Sequence, residues 1–458
     1  MGGMKMNFYD EFQKYRETFI KDLQGLLRIP SVLTEFNPNS SHPFGDGIHE
    51  ALEYMLKLGE RDGFTVKNVD NYAGHIEIGA GEEILGVLCH LDVVPTGDGW
   101  KYPPFGAEIH DGKIYARGAL DDKGPTMCAY YALKMLKDLG VKFNKRVRII
   151  LGTDEESGWR GLKYYLTKEP IPDVGFAPDA NFPLIYGEKG ILTGEFSGNV
   201  TCDGVYQFSF GERTNVVPDK ATAVIDGKFK ERFYKFLQDN DYSGSVKELD
   251  NGTIEVTVNG KSAHAMEPEK GLNAGFVLVE FLHKITNNKL VHFIHKYLSF
   301  DTRLTKTNLN YTHEVMGDLT CNVGVCRYEN EEVKLLLNFR YPLNTDVEKM
   351  TRVLSEKAQE FGLTYKVISD SKPHYVDPES ELVRTLHQAY IKYTNDTETP
   401  IMTIGGGTYA RSFKNAVAFG PEFPNKEALI HQPNEYAILE DLFLATAIYA
   451  EAIYNLTR

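Results

Sequence analysis

The sequence predicts an α/β fold: a mostly parallel sheet flanked by helices, followed by an α+β portion with antiparallel strands. Three observations predict it. Short continuous apolar runs alternate with helix-period segments over the first third of the chain. From about residue 191 the apolar residues alternate in strand fashion, with helical stretches between them. The 458 residues also exceed one ordinary domain of roughly 100–200 residues.

Taken in order, residues 8–28 place Phe8, Phe12, Tyr15, Phe19, Leu23, Leu26 and Leu27 at helical spacing, and 47–62 repeat the pattern with Ile48, Leu52, Met55, Leu56 and Leu58. Buried-strand runs follow at Ile84–Cys89, Val147–Gly152 and Gly175–Pro178. Between the first two, Pro125–Leu139 reads as a helix with a Gly-Pro start and Gly140 as its stop. Alternating strands come next at Ile191–Phe196, Ala221–Asp226, Thr253–Val258, Val333–Phe339 and Tyr365–Ser369. Helices are expected at Lys228–Leu237, Asn273–Ile285 and Val347–Phe361. After Asp377-Pro378 a helical pattern resumes with Leu382, Leu386, Tyr390 and Tyr393, and residues 437–456 form a last amphipathic helix. Periodicity alone leaves open whether this closing stretch rejoins the first portion.

Composition excludes several classes. An apolar fraction of 42% with 25% charged residues is that of a globular chain, neither disordered nor fibrous. No apolar run approaches the roughly 20 residues of a membrane helix, and the N-terminus has no apolar signal core. Gly2 fits acylation poorly, because Met6 stands where Ser or Thr is needed. The 50 basic against 64 acidic residues give a net charge of −14, which repels nucleic acid and anionic lipid. The five cysteines are sparse and odd in number, which points to a reducing cytoplasm. Cys321 and Cys326 have no second pair to complete a zinc site and read as structural thiols.

Chemistry-bearing residues collect just after the strand runs, where open α/β sheets place their ligands. His90-Leu91-Asp92 follows the first run; residues two apart point to one side, so one can bind a metal while the other orients it. A satisfied polar loop pair is the plainer reading of that motif. Asp121 and Asp122 sit in a glycine-flanked turn ahead of a helix, where helix capping explains one acid and metal bridging explains two. Asp154, Glu155 and Glu156 end another strand, and three adjacent acids repel unless a cation or solvent relieves them. Asp179 closes a further strand, and His431 lies in a turn before the last helix. The set His90, Asp121, Glu156, Asp179 and His431 suits two divalent ions such as zinc or manganese, with one carboxylate between them. Such a pair clamps an oxygen nucleophile and polarises a carbonyl, which is hydrolytic machinery. Competing signatures are missing: Gly405-Gly406-Gly407 is no dinucleotide loop, and neither a Walker-type phosphate loop nor a G-x-S-x-G elbow occurs.

The strings HLDVVPTGDGW, GALDDKGP, TDEESG, PDANFPLIYGEKG, SAHAMEP, NFRYP, GGGTYAR and HQPNEY follow one another from His90 onward. In this the chain resembles the co-catalytic zinc peptidases of the carnosinase, aminoacylase and carboxypeptidase G family, above all their bacterial PepV-type dipeptidase branch. The resemblance implies that His90 and Asp179 bind one metal, Glu156 and His431 the other, and that Asp121 bridges them. It implies that Glu155 is the base for a metal-bridging water and returns the proton to the leaving amine, and that Asp92 orients His90. His264 then supports the oxyanion, and Asn215 contacts substrate. Arg340 grips the free carboxylate of a dipeptide, for which its planar fork is suited. Gly406, Gly407 and Thr408 lie where backbone approaches substrate. The implied organisation is a catalytic domain from 1–190 and 378–458 with a lid at 191–377, cytoplasmic and monomeric, a homodimer being the other state. The implied activity is hydrolysis of unblocked dipeptides, for which Asp179 speaks. An N-acyl amino-acid deacylase and a non-catalytic metal-binding relative are the alternatives, and the complete ligand set argues against the second.

Overall fold

The computed structural model describes residues 6–427 and 429–458; Gly2 lies outside the described residues. The chain divides into two units. One comprises residues up to Gly187 with Tyr375–Met402 and Thr408–Arg458, the other Glu188–His374 with Thr403–Gly407.

In the first unit a central sheet runs in the order Thr65–Val69, Ala73–Ile78, Arg146–Gly152, Ile84–His90, Val174–Ala177, Ala416–Ala418, Ile185–Glu188. Its four middle strands, from Arg146–Gly152 to Ala416–Ala418, are parallel neighbours. The strands on either side of them pair antiparallel, so the parallel character expected from the sequence belongs to the centre. Ile84–His90 is buried at every residue, which is why it reads as an unbroken apolar run.

Helices Arg16–Leu27, Lys123–Asp138 and Leu439–Leu456 share one apolar core with this sheet. Lys123–Asp138 begins directly after the Asp121-Asp122 turn, and two glycines make that turn possible. Gly118 has φ +95°, and a Cβ on Gly124 would stand 2.0 Å from the Ala119 carbonyl oxygen. A small antiparallel sheet joins Glu108–His110, Lys113–Tyr115 and Tyr436–Ile438, pairing Tyr436 with Tyr115. That pairing ties the His431 turn to the Arg117–Asp121 turn.

The second unit contains an eight-stranded antiparallel sheet in the order Ser243–Glu248, Thr253–Asn259, Lys220–Asp226, Val205–Phe210, Thr320–Glu329, Glu332–Tyr341, Gly190–Asn199, Leu363–Ser371. Gly190–Asn199 and Thr253–Asn259 alternate buried with part-exposed residues, as a sheet covered on one face should. Leu192, Phe196, Ile225, Val256 and Leu337 form a core with Phe233, Leu278, Ile294 and Leu354 from the helices.

Candidate active site

Strand register brings the acidic loops together in the first unit. His90 is opposite Gly152, so Thr153–Glu156 leave the sheet beside it. Val87 is opposite Phe176, and extending that register puts Asp179 level with His90. Three segments distant in sequence therefore end at one edge of the sheet, where such folds hold ligands.

The carboxylate of Asp121 lies between two imidazoles. Its Oδ1 is 3.0 Å from His90 Nε2 and its Oδ2 is 2.9 Å from His431 Nε2. Glu156 Oε1 stands 3.0 Å from His431 Nε2, and Asp179 Oδ2 stands 3.4 Å from His90 Nε2. The five residues expected to hold metal are thus brought together, with Asp121 in the middle. Glu155 Oε2 is 3.6 Å from His90 Nε2, on the same side of the cluster.

Burial and crowding set the charges. Burial draws the Asp121 carboxyl upward, but hydrogen bonds with His431 and His90 outweigh it and hold it well below the usual carboxylate range. Burial pushes Glu155 well up, and burial with the neighbouring Asp121 pushes Glu156 to about 8. Burial likewise brings Asp179 to about 6. His431 resists burial and is raised to about 10 by its bonds to Asp121 and Glu156. So many acids at one sheet end favour protons or cations, and two imidazoles with three carboxylates match what divalent ions of the zinc and manganese type take. Two groups of donors fall within 4.8 Å: His90 with Asp121 and Glu156, and His90 with Asp122 and Asp179.

Around this centre the structure assigns jobs that the sequence left open. His90 Nδ1 is 3.0 Å from the backbone oxygen of Asp92 and 3.3 Å from its carboxylate. The Asp92 carboxylate accepts the backbone N–H groups of Glu155, at 3.1 Å, and Glu156, at 3.0 Å. Asp92 therefore holds the Glu155-Glu156 loop as well as facing His90. Asp154 is neutralised by Arg160, whose Nε donates at 2.7 Å, and it also accepts the Arg160 and Gly158 amides. Of the three adjacent acids, only the last two remain for the cluster. Asp122 Oδ2 accepts the His90 backbone N–H at 3.1 Å, and burial with Asp179 nearby pushes its carboxyl well up.

Glu435, the acid of HQPNEY, has a role that the motif does not disclose. It is fully buried. Its Oε2 accepts the amides of Gly118 and Leu120 at 3.0 and 2.9 Å, and that of Asp121 at 3.4 Å. Its Oε1 accepts Arg117 NH1 at 2.9 Å, and Arg117 also donates to the carbonyls of Gln432 and Pro95. The signal available in the sequence was an acid four residues after His431, facing an arginine four residues before Asp121. Glu422, half-buried and pushed by burial to about 7, was missed entirely; only Asn181 beside it hints at a partner.

The residues expected to touch substrate, Thr408 apart, belong to the second unit. Asn215 and His264 are side by side there: Val216 bridges His264, and Ala265 N–H donates to the Asn215 carbonyl at 2.9 Å. His264 Nδ1 accepts the Met266 N–H at 3.0 Å, so the neutral ring carries its proton on Nε2. Arg340 is buried; its Nε donates to Asn338 Oδ1 at 2.7 Å and its NH1 to the Gly405 carbonyl at 2.8 Å. Gly406 and Gly407 follow in the same short stretch. Thr408, in the first unit, caps the turn Tyr409–Ser412 by accepting the Ala410 N–H at 3.1 Å.

Comparison with known proteins accords with this geometry. Residues 86–455 match the family described as Peptidase family M20/M25/M40. A Bacillus subtilis (strain 168) relative named "Putative dipeptidase YtjP" is 45% identical, the alignment covering 99% of this chain and 100% of that one. A Staphylococcus aureus (strain MRSA252) relative, "Putative dipeptidase SAR1836", is 43% identical over 98% of each. Among solved structures, human carnosine dipeptidase 1 matches with a TM-score of 0.62 at 14% identity, covering 98% of both chains. At that identity the likeness establishes the fold. No helix among the described residues is long and apolar enough to cross a membrane.

Proposed function

Because the chain belongs to peptidase family M20/M25/M40, we propose that it is a metal-dependent dipeptidase cleaving unblocked dipeptides. The single observation that carries this is the Asp121 carboxylate shared between His90 and His431, with Asp179 and Glu156 as their outer partners. His90 with Asp179 would hold one divalent ion and Glu156 with His431 the other, with Asp121 common to both. Two imidazoles favour zinc, and manganese fits the same donors. Bound there, the ions supply Lewis acidity toward the peptide carbonyl.

The chain's own residues do the rest. Glu155 takes a proton from the attacking water and returns it to the leaving amine, a shuttle that the hold of Asp92 on its backbone N–H keeps in place. His264, protonated on Nε2, donates toward the developing oxyanion. Arg340 receives the substrate carboxylate and Asn215 the peptide. Gly406, Gly407 and Thr408 offer backbone to the substrate. The relatives named as dipeptidases support the substrate class. Buried free thiols at Cys89, Cys128, Cys321 and Cys326 support a reducing cytoplasm. We take the working form to be the monomer.

The test pairs metal analysis with turnover of a free dipeptide and its N-acetylated counterpart, before and after chelation. Chelator-sensitive cleavage of the free dipeptide alone, with two metals per chain at this centre, is expected. Cleavage of the acetylated compound instead would make the protein a deacylase, and bound metal with neither activity would remove the catalytic reading.

A further inference from the structure

Two asparagines face each other inside the antiparallel sheet of the second unit. Asn322, on Thr320–Glu329, pairs directly with Asn338, on Glu332–Tyr341, and both are buried. Their chain neighbours Cys321, Val323, Leu337 and Phe339 are buried and apolar. Residues opposite one another across two strands point to the same face, so the two amides stand side by side. Each is committed to a segment expected to touch substrate. Asn338 Oδ1 accepts Arg340 Nε at 2.7 Å. Asn322 Nδ2 donates to the carbonyls of Thr214 and Val216, at 2.9 Å each, and so holds Asn215 from both sides. The Asn215 carbonyl accepts the Ala265 N–H at 2.9 Å, so three successive carbonyls of that segment are fixed.

The strand is shaped to receive that segment. Its pairing passes from Val323 with Leu337 to Val325 with Leu336, which leaves Gly324 as the extra residue of a bulge. A Cβ on Gly324 would stand 2.6 Å from Thr214 Cα, so the bulge lets the Arg213-Thr214 backbone lie against the sheet. Packing alone gives no reason for two amides here, because an apolar pair fills a buried sheet position without needing any partner. The partners that these two amides do have are the Arg340 guanidinium and the backbone on either side of Asn215.

We propose that Asn322 and Asn338 are positioning residues for substrate: Asn338 aims the Arg340 guanidinium, Asn322 fixes the segment that carries Asn215, and their pairing sets the spacing between the carboxylate contact and the peptide contact. The proposal rests on the reading of Arg340 and Asn215 given above. Neither asparagine touches substrate; each acts through the residue it holds.

The experiment measures kcat and KM of the full chain, loaded with zinc, on a free dipeptide and on its C-terminal amide. The variants are Asn338→Ala, Arg340→Ala and their double, with Asn322→Ala, Asn215→Ala and theirs. Asn338→Ala should raise KM for the free dipeptide about fivefold, the worth of one hydrogen bond, and leave the amide within about twofold. Asn322→Ala should impair both substrates alike, because Asn215 meets the peptide and not the carboxylate. Each asparagine change should lose most of its effect once its target, Arg340 or Asn215, is already alanine. Losses that multiply in the double variants would make the asparagines merely structural and overturn the proposal. A raised KM in Arg340→Ala beside an unchanged Asn338→Ala would overturn the positioning alone. An unchanged KM in Arg340→Ala would instead remove the carboxylate reading, and the role of Asn338 with it. Where alanine impairs folding, the size-matched Asn338→Leu and Asn322→Leu should give the same pattern, and its absence there would equally overturn the proposal.

Discussion

Glu435 Oε1 accepts Arg117 NH1 at 2.9 Å with both side chains sealed from solvent, while Glu435 Oε2 gathers the amides of Gly118, Leu120 and Asp121. One carboxylate thereby satisfies the backbone of the turn that presents Asp121 and anchors the turn that presents His431. Removing either partner of a buried pair leaves an uncompensated charge, a loss of about 3–5 kcal/mol. Glu435→Ala should lower the melting temperature markedly and weaken metal retention. Gln should rescue little, because its amide NH2 would face donors. Calorimetry and metal counts on both variants check this; metal retention equal to the unaltered chain would free Glu435 of any part in holding Asp121.

Glu155→Gln should keep its metal and lose turnover by about 10²- to 10⁴-fold, the share a positioned acid–base carries. The amide cannot move the proton, yet the backbone N–H of residue 155 still binds Asp92. Steady-state kinetics beside metal analysis reads the outcome, and near-normal turnover in the metal-loaded variant would take the proton shuttle away from Glu155.

Arg340→Ala should raise KM for free dipeptides by about tenfold or more, the worth of a charge-assisted hydrogen bond of about 1.5–3 kcal/mol, and leave dipeptide amides nearly unchanged. Equal losses on both substrates would point to its bonds with Asn338 and the Gly405 carbonyl as the whole of its role.

A fourth prediction concerns pH. His75 is buried, and its Nδ1 accepts the Tyr165 hydroxyl at 2.7 Å while that hydroxyl accepts from Arg148. Burial, helped by the charge of Arg148, lowers its pKa to about 3. The unfolded chain protonates this ring near 6.5, so between those values it binds the proton that the folded chain refuses. Stability from His75 is complete above about pH 6.5 and is lost as pH falls toward 3, up to about 5 kcal/mol in all. Urea unfolding at pH 7, 5.5 and 4.5 should show a shallower acid slope for His75→Asn. An identical slope would assign the acid sensitivity elsewhere.

What the sequence disclosed follows from how local its signals are. Ile84–Cys89 was legible because a strand buried on both faces must be apolar throughout, and His90 stood out as the polar residue that ends it. Thr65–Val69 and Lys113–Tyr115 were missed: the first is mostly exposed and the second is three residues long, so neither shows a pattern. Asp154, Glu155 and Glu156 look alike in sequence; Arg160 and Asp92 distinguish them only once the loop is folded. Most of the work of Glu435 was illegible because, Arg117 apart, its partners are backbone amides more than 300 positions away, and backbone leaves no mark in composition.

The strand Ala416–Ala418 lies between Val174–Ala177 and Ile185–Glu188 in the first unit's sheet. On the ribosome, that slot stays empty until more than 200 further residues have been made, and the second unit likewise waits for Thr403–Gly407. His431 arrives later still. A growing chain therefore holds His90, Asp121, Glu156 and Asp179 without their last histidine partner. The proposed ligand set therefore comes together only once residue 431 has been made.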